Sequence, residues 1–170
     1  GHVLFAVLNQ VPWSDTGRPV LIFMRLSLVI PARDKPATVV RLLESLESSS
    51  RQPDEVILVD DASEESLEAV AAGFGVRFIR HPEPAGPAVA RNHGAAESGG
   101  DVILFLDADV TVHKDTVARL VSALEQDPDL DGVIGSYDNA PGDPGFLSRY
   151  RNLLHAWVHQ TASTKAFTFW

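Results

Sequence analysis

The sequence predicts an α/β fold with a mostly parallel central sheet, and three observations carry the prediction. Short β-branched runs of strand length alternate with amphipathic stretches of helical period, which is the pattern of repeated βαβ units. Two of the apolar runs end abruptly in paired acidic residues, as strands do where their carboxyl ends open on a ligand crevice. The chain has 170 residues, 45% of them hydrophobic, which is enough for one well-buried domain.

Residues 1–23 show no sustained helical or alternating period and stand ahead of Met24, the single methionine. They are expected to form an extension outside a domain that spans residues 24–170. The first strand is expected over residues 26–30. A helix over residues 35–48 follows, with Val39, Val40, Leu42, Leu43 and Leu46 on one broad face. A second strand, residues 55–60, leads to a helix for which Ser63 supplies the cap and Glu65 and Glu68 the acidic first turns. Residues 76–80 and 102–107 read as further strands, and residues 87–98 and 115–126 as further helices. A fifth strand is expected over residues 132–137. Residues 139–145, rich in Pro, Gly and Asp, read as a loop, and residues 147–161 as a last helix. There is no internal repeat or low-complexity tract.

A formal net charge of -9 argues against nucleic acid as the main partner, because tracking a phosphate backbone needs clustered Lys and Arg. A small anionic ligand is compatible with this charge if a metal or a few arginines offset it. The absence of cysteine excludes disulfides, thiolate catalysis and cysteine zinc sites, and fits a cytoplasmic location. No run reaches the roughly 18–20 apolar residues of a spanning helix, and the best candidate, residues 20–30, is broken by Arg25. The opening segment lacks the basic start and small-residue cleavage site of a signal peptide.

Val56-Ile57-Leu58-Val59 runs into Asp60-Asp61, and Val102-Ile103-Leu104-Phe105-Leu106 runs into Asp107-Ala108-Asp109, a DXD motif. Carboxylates about 4 Å apart repel by up to about 4 kcal/mol at an effective dielectric of about 20, so the constellation needs a cation or hydrogen-bond donors. Oxygen ligands without sulfur suit Mg²⁺ or Mn²⁺, which bridge one or two carboxylates to substrate phosphates. The competing reading, in which each acidic pair merely starts a turn, holds well for one pair and poorly for two at sheet termini.

Four segments in this order resemble glycosyltransferase family 2. They are Leu28-Val29-Ile30-Pro31-Ala32, the run from Gln52 through Val59-Asp60-Asp61-Ala62-Ser63, Gly86-Pro87-Ala88-Val89-Ala90-Arg91-Asn92-His93-Gly94, and Leu104-Phe105-Leu106-Asp107-Ala108-Asp109. The resemblance implies a GT-A type fold, a Rossmann-like three-layer sandwich, that binds a nucleoside-diphosphate sugar with a uridine base. Pro31, Ala32 and Arg33 would line the nucleoside pocket, and Asp61 would accept a hydrogen bond from the base. Arg91 would steady the nucleotide, Asp107 would approach the ribose and the metal, and Asp109 would bind the Mn²⁺ or Mg²⁺ that joins the two phosphates. The implied activity is inverting transfer to an unknown sugar or lipid-linked acceptor in cell envelope polysaccharide or glycolipid biosynthesis, with peripheral association at the inner face of the membrane. The family often has an aromatic residue and Asn where Arg33 and Asp34 stand here. Its Glu-Asp base motif has no counterpart after Asp109, so the general base is expected beyond Trp170 and the chain is expected to be a truncated, inactive portion of the enzyme.

Other signals are weaker. His155 and His159 stand four apart, but Ala156 replaces the Glu of a zinc protease motif, and helix packing is the better reading. His113 reads as a solvated loop residue. Phe146, Leu153 and Trp157 read as packing residues or as a face toward a partner segment or membrane. Gly73 and Gly75 lack the spacing of a dinucleotide fingerprint. A phosphoacceptor signalling domain would also hold Mg²⁺ between carboxylates, but its acidic pair follows the first strand and a Lys follows the last, neither of which occurs here. A donor-binding module without turnover is the other alternative.

Overall fold

Four strands, β-branched and apolar in their interiors except for the outermost one, form a parallel core sheet. The computed structural model describes residues 5–8, 24–127, 130, 132–135, 145–146, 149–150, 153–154 and 157. The elements run β1 (Phe5–Leu8), β2 (Leu26–Ala32), α1 (Pro36–Glu47), β3 (Glu55–Asp60), α2 (Glu68–Gly73), β4 (Arg77–Arg80), α3 (Pro87–Ala96), β5 (Val102–Phe105), α4 (Thr116–Gln126) and β6 (Gly132–Ile134). The strand order is β4-β3-β2-β5-β1-β6, with β4, β3, β2 and β5 mutually parallel and β1 antiparallel to β5. Residues 2–133 form one compact unit and residues 134–170 belong to another.

Strand alternation divides the core between the two sheet faces. Leu26, Leu28 and Ile30 of β2 pack with Val39, Leu42, Leu43 and Leu46 of α1 and with Val117, Leu120 and Leu124 of α4. On the other face Val29 joins Ile57, Val59, Ile103 and Ala90 of α3. Helix α3 lies close on β2 and β3 because Gly94 has no side chain: a Cβ there would stand 2.4 Å from Val29 Cγ1. Helices on both faces make the expected three layers.

Three expectations need correction. Residues 5–8 do not lie outside the domain: Phe5–Leu8 pairs with β5 in the register Phe5↔Phe105 to Leu8↔Val102, and Ala6 is fully buried. Four apolar residues in a row carry no period, but they supply the backbone donors and acceptors that complete the other edge of β5. The second helix does not start near Ser63. Asp60 takes the N–H groups of Ser63 and Leu67, which holds that stretch as a loop until Glu68. Strand β5 ends at Phe105, two residues short of Asp107.

Strand β2 instead runs two residues beyond Ile30, through Pro31. The Ala32 carbonyl accepts the Asp61 N–H at 2.8 Å, so Ala32 faces β3 and Pro31 faces β5. The β2–β5 register ends at Val29↔Phe105, so the N–H that proline lacks costs no ladder bond. Residues 136–137 of the fifth expected strand lie outside the described residues, as do His155 and His159. Phe146, Tyr150, Leu153, Leu154 and Trp157 are exposed, and no helix among the described residues is long and apolar enough to cross a membrane.

Candidate functional site

Because β2 lies between β3 and β5, the carboxyl ends of these three strands bring residues 31–34, 60–63 and 106–109 to one edge of the sheet. Pro31 and Ala32 are buried at the end of β2, and Arg33 is exposed just beyond them. The chain then turns sharply, with Asp34 at φ 59° and Lys35 at φ 56°, and Ala62 after β3 takes φ 56°. Residues other than glycine seldom occupy this left-handed region, at a cost of about 1–2 kcal/mol each. Cross-links between the two turns offset that strain. Asp34 N–H donates to Ser63 Oγ at 2.7 Å, and Glu64 N–H donates to Asp34 Oδ1 at 2.9 Å. The β2–α1 and β3–α2 loops are therefore one laced unit, and the strain sits where a ligand would approach.

The neighbouring carboxylates of Asp60 and Asp61 have different duties. Asp60 is fully buried and accepts Ser63 N–H at 2.9 Å, Leu67 N–H at 3.3 Å and Arg80 Nη1 at 2.5 Å. Arg80 also donates to the Ser63 carbonyl at 2.8 Å, so this carboxylate holds the loop together from below. Asp61 is 5% exposed. Its Oδ1 accepts Ala85 N–H at 2.9 Å and bonds His81 Nδ1 at 2.8 Å, and its Oδ2 accepts Gly86 N–H at 2.8 Å. Burial raises the Asp61 pKa, but the Ala85 amide, His81 and the Gly86 amide outweigh it and hold the carboxyl below its usual range. Of the four lone-pair directions of a carboxylate, these donors leave one, on Oδ2.

At the end of β5, Asp107 forms an ion pair with Arg91 of α3, their side chains 15% and 33% exposed. Asp109 is exposed two residues further on. The Val110 N–H bonds the Asp107 carbonyl at 3.3 Å, which curls the chain so that the DXD segment forms a turn rather than more strand. Among the described residues no three His, Asp or Glu side chains converge on a metal position. The Asp107 and Asp109 carboxylates are hard oxygen donors of the kind that suits Mg²⁺ or Mn²⁺, ions that take water and substrate phosphates as further ligands.

The sequence sets Asp60 beside Asp61 among the acidic residues that end a strand at the ligand crevice, and in the structure Asp60 bonds the protein's own loop and Arg80. Sequence reasoning overlooked His81 and His93. The signal was present, since His81 is a polar residue just past β4, as Asp61 is just past β3. His113 is exposed on its loop, as expected.

The pattern of glycosyl transferase family 2 matches residues 27–168 of the chain. A relative from Haemophilus influenzae, described as an uncharacterized glycosyltransferase, is 36% identical over 141 residues, covering 76% of this chain and 48% of its own. The amylovoran biosynthesis glycosyltransferase AmsB of Erwinia amylovora is 32% identical over 131 residues, covering 71% and 44%. Among solved structures, glucosyl-3-phosphoglycerate synthase from Mycobacterium tuberculosis, in complex with Mn²⁺, UDP and glucosyl-3-phosphoglycerate, is 27% identical with a TM-score of 0.52, covering 60% of this chain and 40% of that one. S. aureus TarS with UDP shares the fold at 22% identity and a TM-score of 0.57, covering 61% and 32%. The chain thus spans about half, or less, of the length of these relatives.

Proposed function

Because the chain belongs to glycosyl transferase family 2, we propose that the carboxyl edge of its sheet binds a nucleoside-diphosphate sugar, most suitably a UDP-sugar, for inverting transfer to an acceptor hydroxyl. The observation that carries this reading is the Asp107–Arg91 pair with Asp109 exposed two residues on, at the end of the strand next to Ala32 and Arg33.

Pro31 and Ala32 form the floor under the nucleoside, and the exposed Arg33 guanidinium stacks on the base. The remaining acceptor direction of Asp61 receives the imino N–H of uracil. An anion here disfavours cytosine and adenine, which present a ring nitrogen lone pair at that position. Arg91 keeps Asp107 oriented toward the ribose side. Asp107 and Asp109 would hold the Mn²⁺ or Mg²⁺, Asp109 on the side of the diphosphate. A bound divalent cation supplies positive charge to the diphosphate leaving group. The acceptor oxygen attacks the anomeric carbon as the bond to the diphosphate breaks, and its proton goes to a base outside the residues assigned here. The Mn²⁺ and UDP in the M. tuberculosis synthase support the donor and the metal, and the AmsB relative supports a polysaccharide or lipid-linked acceptor. The exposed row of Phe146, Tyr150, Leu153, Leu154 and Trp157 supports peripheral association at the cytoplasmic face of a membrane. Family membership sets the phosphoacceptor alternative aside.

Calorimetry of UDP with Mn²⁺, with EDTA, and with an Asp109→Asn variant tests the site. The expected result is UDP binding that weakens about 100-fold without metal or with Asp109→Asn. Equal affinity under all three conditions would remove the metal-bridged reading.

A further inference from the structure

A chain of three hydrogen-bonded side chains runs from the nucleoside end of the site to the surface of α3. His81, 7% exposed, places Nδ1 2.8 Å from Asp61 Oδ1 and Nε2 2.9 Å from His93 Nδ1. The two imidazoles lie within 10° of parallel, with ring centroids 5.2 Å apart. Strand register dictates this meeting. Strands β3 and β4 pair with Asp60 opposite Arg80, so the next residues, Asp61 and His81, are neighbours past the last ladder pair. Gly94 lets α3 approach the sheet, and His93 precedes it on that helix.

Proton counting fixes the direction of these bonds. Two N–H groups cannot face each other, so one proton lies between Nε2 of His81 and Nδ1 of His93. Asp61 is held as an anion, so the proton between it and His81 sits on Nδ1. His81 therefore donates to Asp61 whether the imidazole pair is neutral or carries one added proton. Which nitrogen of a histidine is protonated follows from what each nitrogen touches: Asp61 fixes the proton on Nδ1, and in the neutral pair Nε2 accepts from His93.

We propose that His81 is a positioning residue for nucleotide binding, and that His93, hydrogen-bonded to its Nε2, supports the ring in the tautomer that Asp61 dictates. With His81 and the Ala85 N–H on Oδ1 and the Gly86 N–H on Oδ2, the carboxylate cannot pivot, and its one remaining lone pair keeps a fixed direction. Without His81, Oδ1 loses its side-chain donor, and the carboxylate torsion, which is intrinsically broad, is set by two loop amides alone. The role rests on the donor-site reading above, since it acts through Asp61.

The test combines long-range ¹H–¹⁵N imidazole spectra of the wild type at about pH 8.5, above the ordinary histidine range, with UDP–Mn²⁺ titrations of wild type, His81→Ala, His81→Asn and His93→Ala. The spectra should show His81 protonated at Nδ1 and bare at Nε2. His81→Ala should lose about 10-fold in UDP affinity, the loss of one hydrogen bond to a charged group. His81→Asn should return to within about 3-fold of wild type, because its amide N–H stands near the place of Nδ1. His93→Ala, altering an exposed residue, should shift the His81 signature and cost about 3-fold. A bare Nδ1 in the wild-type spectra overturns the proposal. So does unchanged UDP affinity in His93→Ala with an unchanged His81 signature, a comparison that stands even if His81→Ala does not fold. A wild type that takes up no UDP overturns the donor-site reading and this role together, whereas wild-type binding with no response to His81 overturns this role alone.

Discussion

At the amino ends of the parallel strands, acidic side chains close onto the backbone. Asp54 accepts Leu26 N–H and Arg51, Glu55 accepts Ser27 Oγ and Gly99 N–H and pairs with Arg77, and Asp101 accepts Arg25 N–H. At the carboxyl ends the acids grade outward, from the fully enclosed Asp60, through Asp61 and the Arg91-paired Asp107, to the exposed Asp109. The two edges of one sheet thus differ in what their carboxylates face. Standing at a strand terminus does not mark a ligand carboxylate. Exposure to solvent is what separates Asp109 from Asp60.

The largest expected effect would come from treating Asp60 as though it belonged to the ligand-facing set. Asp60→Asn should cost about 2–3 kcal/mol of stability, because the partly buried Arg80 loses its counter-charge, and denaturant titration reads the loss directly. A near-neutral result would move Asp60 back among the functional carboxylates. On the opposite edge, Gly100→Ala should cost about 2 kcal/mol. Its Cβ would stand 2.6 Å from Ser27 Oγ and 2.7 Å from Ser27 N, and backbone cannot give way as a flexible side chain does. The folded fraction should bind UDP as wild type does. Removing residues 1–23 should lower stability by about 1 kcal/mol, since it bares the edge of β5 and takes away the buried Ala6. No change in thermal midpoint would mean that β1 contributes little to the fold.

Acid sharpens the contrast further. Asp54 and Glu55 are buried enough for their pKa values to be pushed up, but Leu26 N–H and Arg51 for the first, and Gly99 N–H, Ser27 and Arg77 for the second, pull both below their usual range. Asp61 behaves alike at the other edge. A depressed folded pKa gives stability that is present above the unfolded value, about 3.9 for Asp and 4.3 for Glu, and lost as pH falls through the folded value. The urea midpoint should therefore hold from neutrality to about pH 5 and fall below about pH 4. Glu55→Gln should flatten that fall. The smallest effect belongs to Asp109→Asn, which should change stability by less than about 0.5 kcal/mol while abolishing most metal-dependent UDP binding.

Much of this was legible in the residues. Strand β3 spans residues 55–60, as its β-branched run and terminal acids indicate, and α1 buries four of the five residues assigned to its apolar face. Asp107, Asp109, Arg91 and Asp61 come to one sheet edge because strand ends can be read locally and parallel pairing aligns them. The parts that could not be read depend on pairing between distant segments. Ser63 looks like a helix cap in isolation, but in the fold it holds the Asp34 N–H. His81 meets Asp61 only through the β3–β4 register. Strand β1 has no local signature, and nothing in Phe5–Leu8 announces β5 as its partner.

The pairing of Phe5 with Phe105 also bears on how the molecule is made. During synthesis β1 leaves the ribosome ahead of its partner, which follows about a hundred residues later. Until then the backbone N–H and C=O groups that β1 turns toward β5 have no native partner. Strands β2, β3 and β4 pair from nearby segments, whereas β1 must wait for β5 to emerge, so this contact follows the first part of the sheet. In that interval the growing sheet offers β5 as an open edge and the N-terminal segment as a loose strand, and each could pair with another chain. Crowded synthesis would therefore expose the molecule to strand exchange at the border of the strand that carries Asp107 and Asp109.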